Sequence, residues 1–229
     1  MRLAAVLLAL AIPICAEVLL EDDFDDGDAD GWLELPTGAT YQVTDGRYNF
    51  LQTSSDTVYA GSVTGDLYGA MSVPDYSVLA KVEIEAGIMA GLLSRFDFFS
   101  ASGYLVSLLT ESGGILAINR LDQGVPEILG YTVVQIVPEQ EYWVRMEVAE
   151  GQIGAKIWTG GVSQEPANWN LTVMDATYSD AGSVGLFSMD VPEGGVADMN
   201  AWFDDFSVED ETSLDFIGST WGGIKTDMM

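Results

Sequence analysis

Apolar residues in this chain recur with a period of two, in short runs separated by turn-forming residues. From Ser77 to Ala86, Val78, Ala80, Val82, Ile84 and Ala86 point one way while Lys81, Glu83 and Glu85 point the other, the pattern of a strand with one buried face. Tyr41–Val43, the turn Asp45-Gly46 and Arg47–Leu51 read as a hairpin, because Asp-Gly tolerates the positive φ that a two-residue turn needs. Ile88–Phe96, Tyr104–Thr110, Ile115–Leu121, Tyr142–Ala149, Gln152–Thr159, Gly182–Met189 and Ala201–Val208 complete the set of expected strands. No segment carries a helical period over ten residues. The pattern predicts an all-β chain, a sandwich or jelly roll of two antiparallel sheets.

Two ends depart from that pattern. Met1-Arg2 precedes the apolar run Leu3–Ile14 and then Cys15-Ala16, which reads as a signal peptide, residues 1–16, cut after Ala16; a bilayer span needs about 20 apolar residues. Cys15 raises lipidation as a rival, against which Pro13-Ile14 is a poor match to the small residues such a site prefers. At the other end Glu209-Asp210-Glu211-Thr212-Ser213 opens a polar tail, residues 209–229, which contains Trp221 and Ile224. That tail is either a frayed terminus or a docking segment. Between them, residues 17–208 form one expected domain, with no linker or internal repeat and no later segment apolar enough to cross a membrane.

Composition removes several kinds of chemistry. The chain has one cysteine, which leaves with the leader, and no histidine, so disulfides, thiolates, Ser-His-Asp triads and imidazole metal sites are excluded. Loss of Arg2 leaves 36 acidic against 7 basic residues, with nearly half the chain apolar. Such a chain can fold, repels nucleic acid and anionic lipid, and attracts divalent cations. The acidity equally suits a salty habitat or a need for solubility.

Several segments, in order, resemble the laminin G-like, concanavalin A-like jelly-roll domains of bacterial exported proteins. They are Asp22-Asp23-Phe24 to Gly31-Trp32, Val43–Tyr48, Ala90–Phe96 with Gly103-Tyr104, Tyr142–Val148 continuing through Gly154–Trp158 to Trp169, Gly182–Phe187 and Trp202-Phe203-Asp204-Asp205-Phe206-Ser207-Val208. The resemblance implies a concanavalin-like jelly-roll β-sandwich that is secreted or displayed at the cell surface, and a partner among extracellular glycans or cell-surface polymers. This superfold carries lectins, glycanases, adhesins and structural modules alike.

Two cation sites are expected. Asp26, Asp28, Asp30 and Gly31 match the D-x-D-x-D-G start of a calcium loop, in which alternate carboxylates turn several oxygens toward one hard cation. The twelfth position is Thr37 instead of glutamate, so the loop is no EF-hand, and a solvated acidic turn is the alternative. The resemblance implies a second, structural calcium where first and last strands meet, involving Glu21–Asp23 and Asp204 or Asp205; the alternative there is solvent or a strand cap.

Catalysis by paired carboxylates has one candidate, Glu83 and Glu85, on one face of a strand. The glucanases of this fold carry Glu, Asp and Glu at alternate positions, whereas Glu83-Ile84-Glu85-Ala86-Gly87 stops at two. For binding, Arg95, Tyr104, Arg120, Arg145, Trp158 and Trp169 combine flat apolar faces with directional donors, against the alternative that aromatics in a sandwich pack the core. The expected function is a non-catalytic, calcium-stabilised carbohydrate-binding or adhesion module; a structural interaction protein is the runner-up and a glycoside hydrolase the outsider.

Overall fold

A computed structural model describes residues 16–54, 56, 58–64, 71–191 and 196–210. Most of the leader, and all of the tail from residue 211, including Trp221 and Ile224, lie outside the described residues. Two antiparallel sheets face each other across one core. In chain order the strands are β1 (Val18–Asp22), β2 (Trp32–Glu34), β3 (Thr40–Thr44), β4 (Arg47–Ser54), β5 (Val58–Thr64), β6 (Tyr76–Ala86), β7 (Met89–Asp97) and β8 (Ser102–Leu109). They continue with β9 (Ile115–Asp122), β10 (Val125–Val133), β11 (Tyr142–Ala149), β12 (Gln152–Trp158), β13 (Leu171–Met174), β14 (Ser183–Asp190) and β15 (Ala197–Asp210).

The eight-stranded sheet runs β13-β12-β11-β6-β15-β4-β3, with β1 pairing the second half of β15; the seven-stranded sheet runs β10-β9-β8-β7-β14-β5-β2. The expected hairpin is present: Thr44 pairs with Arg47 around Asp45 (φ 53°) and Gly46 (φ 72°). The alternation of β6 also holds, since Val78, Ala80, Val82 and Ile84 are buried in the core.

The last strand shows how sequence fixes register. Phe203 and Phe206 are both core residues, yet three positions apart on a straight strand would send them to opposite faces. A bulge between Asp204 and Ser207, with Asp205 at φ 47°, resolves this. The extra residue turns both rings inward and leaves both aspartates on the outer face. Around this bulge gather Phe24, Trp32 and Tyr48; Trp32 meets Phe206 edge-on at 4.9 Å and its Nε1 donates to Asp22 Oδ2 at 2.7 Å. This cluster ties the segment after β1 to β15.

A second bulge shapes β7. Ala90 and Leu92 face the core, whereas Phe96 joins Met89 and Leu93 on the outer face, because Arg95 takes φ 46° and shifts the alternation. The backbone at Arg95 comes so near Gly182 that a Cβ there would lie 2.4 Å from the Arg95 carbonyl carbon.

Candidate functional site

The six residues expected to bind ligand are held by intramolecular partners. The Arg95 guanidinium is buried and donates to the carbonyls of Pro74 and Tyr178 and to Asp75. Tyr104, fully buried, donates to Asp175 Oδ1 at 2.7 Å and accepts from the amide of Tyr178. Arg120 reaches Asp175 Oδ2 at 2.7 Å, Thr177, and Glu127. Arg95, Tyr104 and Arg120 thus converge on one segment, Asp175–Tyr178, which they pin at the end of the sandwich. Burial pushes the Tyr104 phenol up to about 12. Burial pushes the Asp175 carboxyl up as well, but its bonds from Tyr104 and Thr177 and the Arg120 charge outweigh this and hold it below the usual range.

Arg145 and Trp158 lie on the other sheet, and Trp169 in the loop before β13. Arg145 donates to Ser77 and pairs with Glu165 and Glu209. Trp158 is buried, stacked on Trp143 with centroids 6.1 Å apart, and donates to the Gly161 carbonyl. Trp169 packs against Gly154 beneath the Lys156 ammonium. These contacts answer to packing and charge pairing within the sheet.

The acidic residues come together more closely. A cleft of about 770 Å³ at the junction of β1 and β15 is lined by Glu21, Asp22, Asp23, Asp26, Asp28, Asp30, Asp205 and Glu209, with Leu79, Trp143 and Phe206 supplying apolar wall. All the expected metal ligands except Asp204 border it. Within the loop, Asp23, Asp26 and Asp28 each accept a hydrogen bond from the backbone amide two residues on, which is how short acidic side chains build consecutive turns. Among the described residues no three carboxylates converge on a point that could hold a metal ion. Asp204 and Asp205 have a cation of the protein's own: Lys81 Nζ lies 3.0 Å from one and 2.6 Å from the other. The donors are hard oxygens of the kind calcium takes, but the loop would have to turn them inward.

Glu83 and Glu85 share the outer face of this eight-stranded sheet. Glu83 accepts from Arg47 at 2.6 Å and Glu85 from the Asn200 amide.

The outer face of the seven-stranded sheet carries a groove of about 260 Å³ that sequence reasoning missed. Leu35, Tyr59, Met89, Phe96, Leu105, Leu121, Phe187 and Met189 line it, with Ala101, Gln123, Gly124 and Pro126 at one end. None of these side chains is charged, in a chain with 36 acidic residues. Phe187 sits opposite Gly61 on one neighbouring strand and Gly91 on the other, so neither directly facing residue adds a side chain beside its ring, and Leu35 packs over Gly61. Tyr59, half exposed, lies nearly parallel to it at 20° with centroids 6.4 Å apart. The signal was available in Val58-Tyr59-Ala60: an aromatic turned outward between two core positions, in a run whose Gly61 and small residues weaken its reading as a strand.

No protein-family model and no curated protein matches the sequence. Solved structures do. The carbohydrate-binding module CBM66 from Bacillus subtilis aligns with a TM-score of 0.60 at 16% identity, covering 78% of this chain and 95% of its own. The exoplasmic/lumenal domain of VIP36, in a form bound to Ca2+ and Man3GlcNAc, aligns at 0.61 with 8% identity over 92% of this chain and 97% of its own. A xylan beta-1,4-xylosidase from Bacillus halodurans C-125 aligns at 0.57 with 16% identity, over 83% of this chain but only 39% of the enzyme. At these identities the likeness establishes the fold alone: the chain is a β-sandwich of two antiparallel sheets, like these domains.

Proposed function

We propose that this protein is an exported, non-catalytic carbohydrate-binding module whose ligand site is the uncharged groove on the outer face of the seven-stranded sheet. The observation that carries the reading is the contrast between that groove and the rest of the chain. A net charge of −28 surrounds an uncharged lining where Tyr59 and Phe187 offer aromatic faces to the rings of a neutral saccharide. The hydrogen-bonding groups at its end, such as Gln123, would give direction. Hydrolysis would require two carboxylates about 5–9 Å apart across the scissile bond, and the groove lining contains no carboxylate. The solved structures named above support a glycan partner.

Calcium belongs to the proposal at the acidic cleft, on the sheet opposite the groove. There Asp23, Asp26, Asp28 and Asp30 would supply the ligands, and the cation would neutralise a crowded loop and stabilise its junction with β15. Export enters the proposal through the leader expected at residues 1–16, and the proposed location is secreted or cell-surface.

A screen of the chain from Glu17 against immobilised neutral and anionic glycans tests the proposal. Retention on neutral glycans that is lost in Tyr59→Ala supports it. Retention confined to anionic glycans, or none, overturns it. A structural interaction protein is the second reading, favoured by the exposed apolar side chains Ile128, Tyr131 and Val133 on β10.

A further inference from the structure

The outer face of the seven-stranded sheet stays uncharged well beyond the groove. One row of directly paired residues, Leu33, Val63, Gly185, Leu93, Leu105, Asn119 and Ile128, crosses all seven strands, a width of roughly 29 Å at the usual strand spacing. Among the described strand residues no charged side chain shares this face. The outer face of the other sheet, by contrast, carries Arg47, Lys81, Glu83, Glu85, Arg145 and Lys156. Tyr59, Ile128, Tyr131 and Val133 of the uncharged face are exposed to between 49 and 74%. A sheet face turned to solvent is ordinarily polar, and an apolar one of this extent marks a contact with something else.

We infer that this face is covered by the chain's own carboxy-terminal tail, with the segment Phe216–Ile224 laid across the groove. Charge narrows the choice of occupant. A second copy of net −28 is repelled, and a basic partner is drawn to the acidic surfaces and away from an uncharged one. The tail meets neither objection. Phe216-Ile217-Gly218-Ser219-Thr220-Trp221-Gly222-Gly223-Ile224 is free of charge, and its charged neighbours Asp215 and Lys225 stand outside it. Its apolar side chains, Phe216, Ile217, Trp221 and Ile224, are spaced by glycines and small hydroxyl residues that let a backbone approach a flat face closely.

The tail also starts within reach of the face. Asp210, where β15 ends, pairs with Tyr76, and the Tyr76 hydroxyl accepts from the Arg95 amide at 2.7 Å. Phe96, the next residue, lines the groove. The tail therefore leaves the sandwich at the end that carries Phe96. The chain from Asp210 to Phe216 reaches up to about 20 Å, against roughly 10 Å between packed sheets, and Phe216 to Ile224 spans up to about 26 Å when extended, close to the width of the face. Tethering holds such a segment at an effective concentration in the millimolar range, so weak contacts suffice. The functional consequence, which rests on the proposed glycan binding, is competition. Tail and saccharide take the same aromatic faces, and the groove is open only in the fraction of molecules whose tail is undocked.

From Glu17 on, the chain has no cysteine, so Thr226→Cys in the chain Glu17–Met229 accepts a single nitroxide, and the methionine methyl groups report its position by NMR. The expected result is broadening of Met89 and Met189, which line the groove, at every chain concentration, with Met174 on the other sheet left sharp. Adding Trp221→Asp should restore both signals. Broadening that is absent, that reaches Met174 equally, or that survives Trp221→Asp overturns the inference. So does broadening that fades on dilution, which would assign the contact to a neighbouring molecule. In a separate titration, Trp221→Asp without the label should bind a neutral glycan about fivefold more tightly than the parent, as follows when the tail is undocked in about a fifth of the molecules. Equal affinities overturn the competition even where the broadening is seen. A chain that binds no glycan removes the groove reading, while the methyl signals still decide the tail.

Discussion

Lys81 Nζ lies 2.6 Å from Asp205 Oδ2, so the bulge that turns Phe203 and Phe206 into the core also delivers a carboxylate to an ammonium on the neighbouring strand. Asp204 joins the same ammonium at 3.0 Å. Partial burial opposes the Lys81 charge, but the bonds from Asp205 and Asp204 more than offset it and hold its pKa above the usual lysine range. A raised pKa contributes stability below the unfolded value and loses it as pH climbs beyond about 10.5. Lys81 thus makes the contacts that the sequence reading assigned to a closing calcium at Asp204 and Asp205.

Lys81→Met leaves those two carboxylates adjacent without a counter-charge. The expected loss is about 1–2 kcal/mol, below the cost of breaking a fully buried pair because all three groups are partly exposed. Added calcium should raise the melting temperature of this variant more than that of the parent. Equal responses in a calcium and chelator melting series would show that Lys81 does not fill that place.

The acidic loop has its own test. Calcium should raise the melting temperature of the parent chain, and Asp26→Asn with Asp28→Asn should abolish most of that rise while leaving the stability in chelator within about 1 kcal/mol of the parent. A calcium response retained by the double variant would take the cation away from this loop.

Arg95 anchors the end of the sandwich from inside. Its guanidinium satisfies two carbonyls and Asp75 in a planar fork that lysine cannot reproduce. Arg95→Lys should cost about 2–4 kcal/mol in urea unfolding, with glycan binding intact in the folded fraction. Loss of binding without loss of stability would restore Arg95 to a direct role.

Asp175 makes the same anchor sensitive to acid. Its folded pKa is lowered, so the stability it contributes is present above the unfolded value near 3.8 and lost as pH falls through the folded one. Asp175→Asn should be less stable than the parent at neutral pH, and the gap should narrow below about pH 4. A gap independent of pH would show that the carboxylate charge is not what holds the segment.

Much of the fold was legible because burial on one face writes itself as alternation. Strand β11 has the expected bounds, Tyr142–Ala149, and β6, β9 and β12 differ by a residue. The strands not expected each lack that signature. β10 is exposed and interrupted by Pro126 and a bulge, β13 is four residues long, β2 is three, and β5 is rich in small residues. Likewise β15 begins four residues before its expected start and runs to Asp210. The acidic cleft was legible as a cluster, since Asp23 to Asp30 are neighbours in sequence and the closing motif names Asp205. Lys81 as their counter-charge was not, because only the β6–β15 register brings it there. Aromatics and arginines drew attention by residue type, yet Trp158, Tyr104 and Arg95 are buried. Type does not reveal facing across a bulge. Tyr59 and Phe187 face outward because their neighbours Val58, Ala60 and Leu186 take the core side, and the glycines that leave room beside Phe187, Gly61 and Gly91, come from distant parts of the chain.

The most direct test of the central claim is calorimetric titration of a neutral oligosaccharide, chosen from the glycan screen, into the parent chain, Tyr59→Ala and Arg145→Ala. The account predicts saturable binding by the parent, a loss of tenfold or more in Tyr59→Ala, in line with about 1–3 kcal/mol for one ring contact, and unchanged affinity in Arg145→Ala. Unchanged affinity in Tyr59→Ala, with loss in Arg145→Ala, would contradict it and move the ligand to the opposite sheet.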